Sequence, residues 1–358
     1  MSIWKNRSLT KGDGMITQFR VRNFKALRDV KLALTPFHIL IGPNDSGKTS
    51  ILEALAAVCR SVDMQLSQAF AGRWNGTELV WRNGRLVPVE FQLTAKDDES
   101  EFTYDLTFDF PVDGKSVQVK RESVGPLLDT KTVEFPPSYG GWTSIGYAAA
   151  NHHTLGSQDR DEVARIVHDV FTGVQIYRWD SRFLALPNAP DASRRFRMEP
   201  SGFGLALCLD DILGYDRKLF ERLENRFKTI FPDIETIRLM PEPAFAAPTD
   251  ASVEVPVLQR KDGKGIYFQF SGGGPLVPAS QVSDGVLLIL AYLAVLHLPQ
   301  PPRLLLVEEP ENGIHPARLK EVLSILRDLV AEQSHTQVVM TTHSPYVVDS
   351  FQPDEVTL

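Results

Sequence analysis

Eight consecutive residues, Gly42-Pro43-Asn44-Asp45-Ser46-Gly47-Lys48-Thr49, set two glycines, a lysine and a hydroxyl at the spacing that holds a polyphosphate. The glycines let backbone N–H groups turn inward, and the helix that follows points its positive end at the same spot. On this reading Asn44, Asp45, Ser46, Gly47 and Ser50 wrap the phosphates. Lys48 reaches the β- and γ-phosphates, and Thr49 turns its hydroxyl to Mg²⁺. Such a loop needs a carboxylate on a neighbouring strand. "LLLVEEPENGIHP" supplies two, with Glu308 expected to hold the metal and Glu309 to activate the attacking water. Glu308 stands where aspartate is commoner, and its longer side chain alters the metal shell.

Two further groups extend the set. In "QVSDGVLLILAYLAVL", Ser283 is placed to cap a long apolar helix, with Asp284 and Gly285 beside it. A serine hydroxyl at a helix N-terminus is a second phosphate-binding device, but it lies far downstream of Lys48. Alone it reads as a simple cap; its weight comes from preceding the acidic strand by about twenty residues. In "VVMTTHSPYVVDS", His343 follows another apolar strand and is a candidate sensor of a γ-phosphate.

The elements that must position these groups are legible from periodicity. "MITQFRVRNFKALRDVKLAL" alternates as antiparallel strands do, whereas "FHILIG" is a continuous apolar run, as in a strand buried on both faces. Thr49 to Cys59 read as a helix, and Glu78 to about Val124 as a β-meander. Residues 126–240 read as a mainly helical insertion, through "DRDEVARIVHDVF", "GLALCLDDIL" and "DRKLFERLENRFKTIF". Within it, "FLALPNAPDASRRFRMEPSG" reads as a mobile or partner-facing loop. "VPVLQRKDGKGIYFQF" suggests a hairpin turning at Asp262-Gly263. Residues 283–297 and 316–332 read as helices between the apolar strands, which implies a parallel sheet. The expected organisation is a disordered extension over 1–14, an N-terminal lobe over 15–125, the insertion, and a C-terminal lobe over 241–358. The fold class is α/β: a P-loop nucleotide-binding core with a mixed central sheet and an antiparallel β subdomain.

Bulk properties narrow the function. The chain has 358 residues and a formal net charge of −7, so its overall charge does not point to nucleic acid. Cys59 and Cys208 each lie in an apolar helical stretch and read as thiols of a reducing compartment. Without a signal-peptide core or an apolar run of membrane-spanning length, a cytoplasmic location with no membrane partner is expected. His152-His153 has no acidic company, so no metal site is read there. "TAKD" has the wrong spacing for a guanine-reading motif.

The order of phosphate loop, "VSDG", "VEEPENGIHP" and "TTHSP" resembles the ABC-type ATPases of the RecF, SMC and OLD (overcoming lysogenization defect) group, and most of all their compact bacterial AAA-domain members. "VRNFKAL" resembles their opening strand. The resemblance implies ATP as nucleotide and a head-to-tail homodimer in which the phosphate loop of one copy faces Ser283 and Gly285 of the other. Asn312, Gly313 and His315 would form the loop that communicates across the interface. A glutamine sensing Mg²⁺ is expected after the first helix, with Gln65 and Gln68 as candidates. The resemblance further implies a switch that regulates a partner effector, a nuclease or a toxin, or that engages DNA, in defence against phage or in genome maintenance. An ATP-binding scaffold with negligible turnover is the alternative. OLD proteins carry a C-terminal Toprim-type nuclease domain; since this chain ends at "DEVTL", nuclease chemistry is expected to come from another polypeptide. The arginines of "RRFRM" and Arg182 leave direct contact with nucleic acid open.

Overall fold

The computed structural model describes residues 14–70, 79–81, 87–96, 101–110, 117–126, 131–136, 140–191, 194–246, 257–259, 261–333 and 335–358. The expected extension over 1–14 therefore lies outside the described residues, except for Gly14. The chain opens with strands β1 (Met15–Phe24) and β2 (Leu27–Ala33), joined at Lys25-Ala26. Strand β3 (Phe37–Ile41) leads into helix α1 (Lys48–Arg60), a short α2 (Leu66–Ala69), and the meander β4 (Val89–Lys96), β5 (Glu101–Asp109), β6 (Gln118–Gly125) and β7 (Val133–Glu134). These form an antiparallel sheet of order β2-β1-β4-β5-β6-β7. Its inward face follows the period of two: Phe102, Tyr104, Leu106 and Phe108 are buried along β5 while their neighbours are not.

Helices α3 (Ser144–Asn151) and α4 (Gln158–Phe171) come next, then strand β8 (Val174–Tyr177) and helices α5 (Ser181–Leu184), α6 (Leu205–Tyr215) and α7 (Arg217–Ile230). Side-chain caps mark four of these starts, among them Ser157 accepting from the Arg160 N–H and Asp216 from the Lys218 N–H. Strands β9 (Ile234–Ala246), β10 (Val257–Gln259), β11 (Lys261–Phe270) and β12 (Val277–Pro278) form a second antiparallel sheet. The last third runs α8 (Asp284–Leu296), β13 (Leu304–Glu308), α9 (Pro316–Glu332), β14 (Gln337–Thr342), α10 (Pro345–Val348) and β15 (Val356–Thr357).

The central sheet has the order β15-β3-β14-β13-β8, and every pairing in it is parallel. Parallel and antiparallel strands thus segregate into separate sheets, so the central sheet expected to be mixed is parallel throughout its described strands. Side chains of the central sheet alternate between two cores. Leu40, Leu304, Leu306 and Val339 face α1 and the six-stranded sheet, whereas Ile39, Leu305, Val307, Val338 and Met340 face α8 and α9. Helices α1 and α8 therefore lie on opposite faces of one sheet.

Three local expectations need correction. Strand β8, inside the segment read as helical, joins the central sheet beside β13; four residues are too few to show periodicity. Asp262-Gly263 is no turn, because both lie within β11, paired with Pro243 and Glu242. The glycine answers a different need. Asn188 and Lys264 exchange backbone hydrogen bonds at 2.9 Å, and a Cβ at Gly263 would stand 2.3 Å from the Asn188 carbonyl oxygen. Finally, the described part of the segment "FLALPNAPDASRRFRMEPSG" is anchored. Beyond Asn188, the Phe196 N–H donates to Asp211 Oδ2 at 2.9 Å, and Met198 is buried.

Candidate functional site

The phosphate loop forms because a buried strand must turn abruptly into a buried helix. Gly47 takes φ +95°, and a Cβ there would lie 3.2 Å from Leu27 Cδ2 at the tip of the β1–β2 hairpin. Asp45 also has positive φ, at 65°. Asn44, Asp45 and Ser46 are exposed, and Thr49 and Ser50 are half-buried behind them. Lys48 is 8% exposed, and its ammonium donates to the carbonyls of Gly42 and Pro43 at 2.7 and 2.8 Å. The cation is thus folded along the loop, beside its exposed crest. The Thr49 hydroxyl donates to Glu308 Oε1.

Parallel pairing of β13 with β14 sets Glu308 beside Thr341. The next residue leaves the sheet sharply: Glu309 has φ +47°, an uncommon conformation for a glutamate. Its N–H donates to the Thr341 carbonyl at 3.1 Å and to the Thr341 hydroxyl at 3.2 Å. Its carboxylate is held from both sides, by Asn312 Nδ2 on Oε2 at 2.8 Å and by His343 Nδ1, 3.3 Å from Oε1. The structure therefore brings Thr49 to Glu308 and Glu309 to His343, across four elements.

Glu311 is a participant that sequence reading passed over. It accepts from the Thr342 hydroxyl at 2.6 Å and from the His343 N–H at 3.1 Å, tying the loop after β13 to the turn after β14. Its second oxygen is buried without a partner among the described residues. A third carboxylate in "EEPEN", at the mouth of a buried strand, was the available signal.

Other expectations change. Ser283 occupies the N-cap position of α8, yet its side chain makes no capping hydrogen bond and is exposed. A Cβ at Gly313 would come within 3.1 Å of Leu288 Cδ1 and 3.5 Å of Asp284 Cβ, so the loop after β13 packs on the start of α8 in the same chain. The His315 ring caps α9, Nδ1 accepting from the Ala317 N–H at 3.2 Å. Gln65 and Gln68 sit at α2, past the far end of the 13-residue α1, about 20 Å of helix from the phosphate loop. Neither reaches Glu308. Besides Thr49, a side chain that does is Arg178, the residue after β8. Its Nε pairs with Glu308 Oε2, and its terminal nitrogen donates to Glu53 Oε1 at 3.0 Å. An apolar strand ending in arginine, "VQIYR", was its signal, hidden because β8 itself was not read.

Among the described residues no group of three or more His, Cys, Asp or Glu is arranged to hold a metal. The oxygens of Thr49 and Glu308 nonetheless fit Mg²⁺, which takes one or two protein ligands and fills its octahedron with water and phosphate. No described helix is long and apolar enough to cross a membrane.

A parallel sheet with a glycine-rich loop after β3, paired acids after β13 and a histidine after β14 has the fold of an ABC-type P-loop domain. Two solved structures share this fold at low identity. One is an SMC head bound to the C-terminal winged-helix domain of ScpA, with TM-score 0.53, 16% identity and 95% of each chain covered. The other is an SMC head with an extended coiled coil, bound to the C-terminal domain of ScpA derived from Pyrococcus furiosus. It has TM-score 0.52 and 14% identity, over 94% of this chain and 91% of that one. An OLD nuclease of Thermus scotoductus is 29% identical over 106 residues, 26% of this chain and 20% of the relative, so the chain spans about one fifth of that protein's length. Residues 37–349 match the family described as "AAA domain, putative AbiEii toxin, Type IV TA system", and the chain belongs to that family of AAA-type ATPases.

Proposed function

We propose that the chain binds ATP with Mg²⁺ and hydrolyses it at a site completed by a second copy of itself. The observation that carries this reading is the Glu309 carboxylate, held between Asn312 and His343 next to the Thr49–Glu308 contact. That is the placement a general base needs: fixed in orientation, at the end of a buried strand, beside a phosphate loop. Thr49 and Glu308 would hold Mg²⁺, which supplies charge neutralisation for the β- and γ-phosphates.

Lys48 would leave the Gly42 and Pro43 carbonyls for the β- and γ-phosphates, exchanging neutral acceptors for anionic ones. Glu309 would take a proton from water as the water oxygen bonds to the γ-phosphorus. The bond from that phosphorus to the bridging oxygen breaks, and ADP departs with the electron pair. His343, 3.3 Å from Glu309 Oε1, would orient that carboxylate and meet the γ-phosphate.

Ser283 supports the dimer. Its exposed hydroxyl is not spent on capping α8, and α8 lies across the central sheet from α1. A Ser283 from a second copy, with Gly285 beside it, would close over the phosphates by the open end of α8. ATP would then join the copies, and hydrolysis would part them. The SMC heads that share the fold were each solved with a domain of ScpA bound, and the matching family description names a toxin. Both support a switch that regulates a partner effector, a nuclease or toxin, in place of a free-standing ATPase.

Phosphate release by Glu309→Gln is the test. General bases contribute about 10²- to 10⁴-fold, so turnover should fall by that order while ATP binding survives and closed dimer accumulates in gel filtration. Hydrolysis at the wild-type rate would remove Glu309 from the chemistry. A wild-type protein that binds ATP and never releases phosphate would leave a scaffold.

A further inference from the structure

Tyr177, the last residue of β8, pairs with Val307, so Arg178 falls beside Glu308 in the parallel register. Its backbone N–H donates to the Pro200 carbonyl at 2.8 Å, and the Asp180 N–H to the Ser201 carbonyl at 2.9 Å, which fixes where the chain leaves the sheet. The guanidinium then bridges two carboxylates. Nε meets Glu308 Oε2, and the terminal nitrogen donates to Glu53 Oε1. Glu53, on α1, receives the Lys25 ammonium on its other oxygen at 2.5 Å. Since the Thr49 hydroxyl takes Glu308 Oε1, both oxygens of Glu308 are engaged, one by the phosphate-loop helix and one by Arg178.

Arginine stays charged at any relevant pH. A divalent cation using Glu308 must share that carboxylate with a fixed positive charge, which repels it and claims one of its oxygens. The Arg178 side chain is 41% exposed against 14% for Glu308, so it has room to turn while Glu308 does not. Glu53 offers the guanidinium a second anchor.

We propose that Arg178 is a positioning residue that sets the cation requirement of the phosphate site: it holds the outer oxygen of Glu308, and Glu53, by sharing the guanidinium, keeps that hold partial. The inference rests on the reading of the site as one for ATP and Mg²⁺. It makes two variants move in opposite directions. Arg178→Gln removes the competing charge and should lower the Mg²⁺ concentration for half-maximal binding of a fluorescent ATP analogue by about three- to tenfold. Glu53→Gln leaves Glu308 as the sole carboxylate for Arg178 and should raise it. Arg178→Lys keeps the charge without the guanidinium fork and should fall between wild type and Arg178→Gln.

The experiment titrates Mg²⁺ at fixed protein and analogue, with circular dichroism confirming that each variant is folded. An unchanged or higher Mg²⁺ requirement in Arg178→Gln overturns the proposal, and so does a shift of the same sign in both variants, which a merely structural role would give. Should Arg178→Gln fail to fold, the sign of the Glu53→Gln shift decides alone. If wild-type protein shows no Mg²⁺-dependent binding of the analogue, the ATP reading falls and this inference with it. Dependence in wild type without the opposed shifts sinks the inference only.

Discussion

The Glu122 carboxyl on β6 accepts from the N–H groups of Ser144 and Ile145 at 2.6 and 3.3 Å and from the Tyr104 hydroxyl at 3.0 Å. The carboxyl thus accepts from the first two N–H groups of α3, yet complete burial outweighs its donors and pushes it up to about 7 from an ordinary 4.5. Between those values the folded chain keeps a proton that the unfolded chain releases, so stability falls as pH rises. The contribution is complete below about pH 4.5 and gone above about pH 7, and amounts to about 3 kcal/mol. Glu122→Gln cannot titrate; urea melts at pH 5 and pH 8 should differ less for the variant than for wild type by about that amount. A second residue-scale prediction concerns Lys48. Lys48→Ala should abolish binding of an ATP analogue by calorimetry while leaving the melting temperature within a few degrees. Retained affinity would mean that the loop does not hold phosphate through this lysine.

Elements carry a different kind of prediction. The 187–189 segment crosses β11 so closely that Gly263 cannot take a side chain without moving Asn188. Gly263→Ala should therefore cost about 1–3 kcal/mol in denaturant unfolding, as overpacking does, although no nucleotide group is near it in sequence. Had Asp262-Gly263 formed a turn, the cost of the same change would come from strain at positive φ and not from a clash with Asn188. This glycine also shows where sequence reading stops. A close approach of two strands and a tight turn both select glycine, and the residues alone do not tell them apart. Long periodic segments were legible: the helix read over 316–332 is α9 (Pro316–Glu332), and that read over Thr49–Cys59 is α1 (Lys48–Arg60). The places of the glycine-rich loop after β3 and of the paired acids at the end of β13 were legible too, because those motifs are local in sequence. Arg178 was not, since its meaning depends on β8 pairing with β13, more than a hundred residues away in sequence. Ser283 was half legible: its position at the start of α8 could be read, but not that its hydroxyl would stay off the helix backbone.

At the scale of the whole molecule, the opposite faces of the central sheet make the proposed dimer testable by mixing. A Lys48→Ala chain retains Ser283, and a Ser283→Arg chain retains its phosphate loop. Each should be inactive alone. Combined, they assemble one intact site of two, from the loop of the second chain and the serine of the first. Phosphate release should reappear at about one quarter of the wild-type rate for random pairing, because half the dimers are mixed and each has one working site. No recovery on mixing would place Ser283 outside the site or in the same chain's pocket.

The separation of α1 from α8 by a full sheet has a kinetic corollary. On the proposed dimer reading, a phosphate loop and a serine-bearing helix on the two sides of one wall do not meet within a single copy, so output per molecule should climb with how many copies share the same volume. Dilution should silence it without any inhibitor, and the cell's expression level would set a threshold below which the machinery idles.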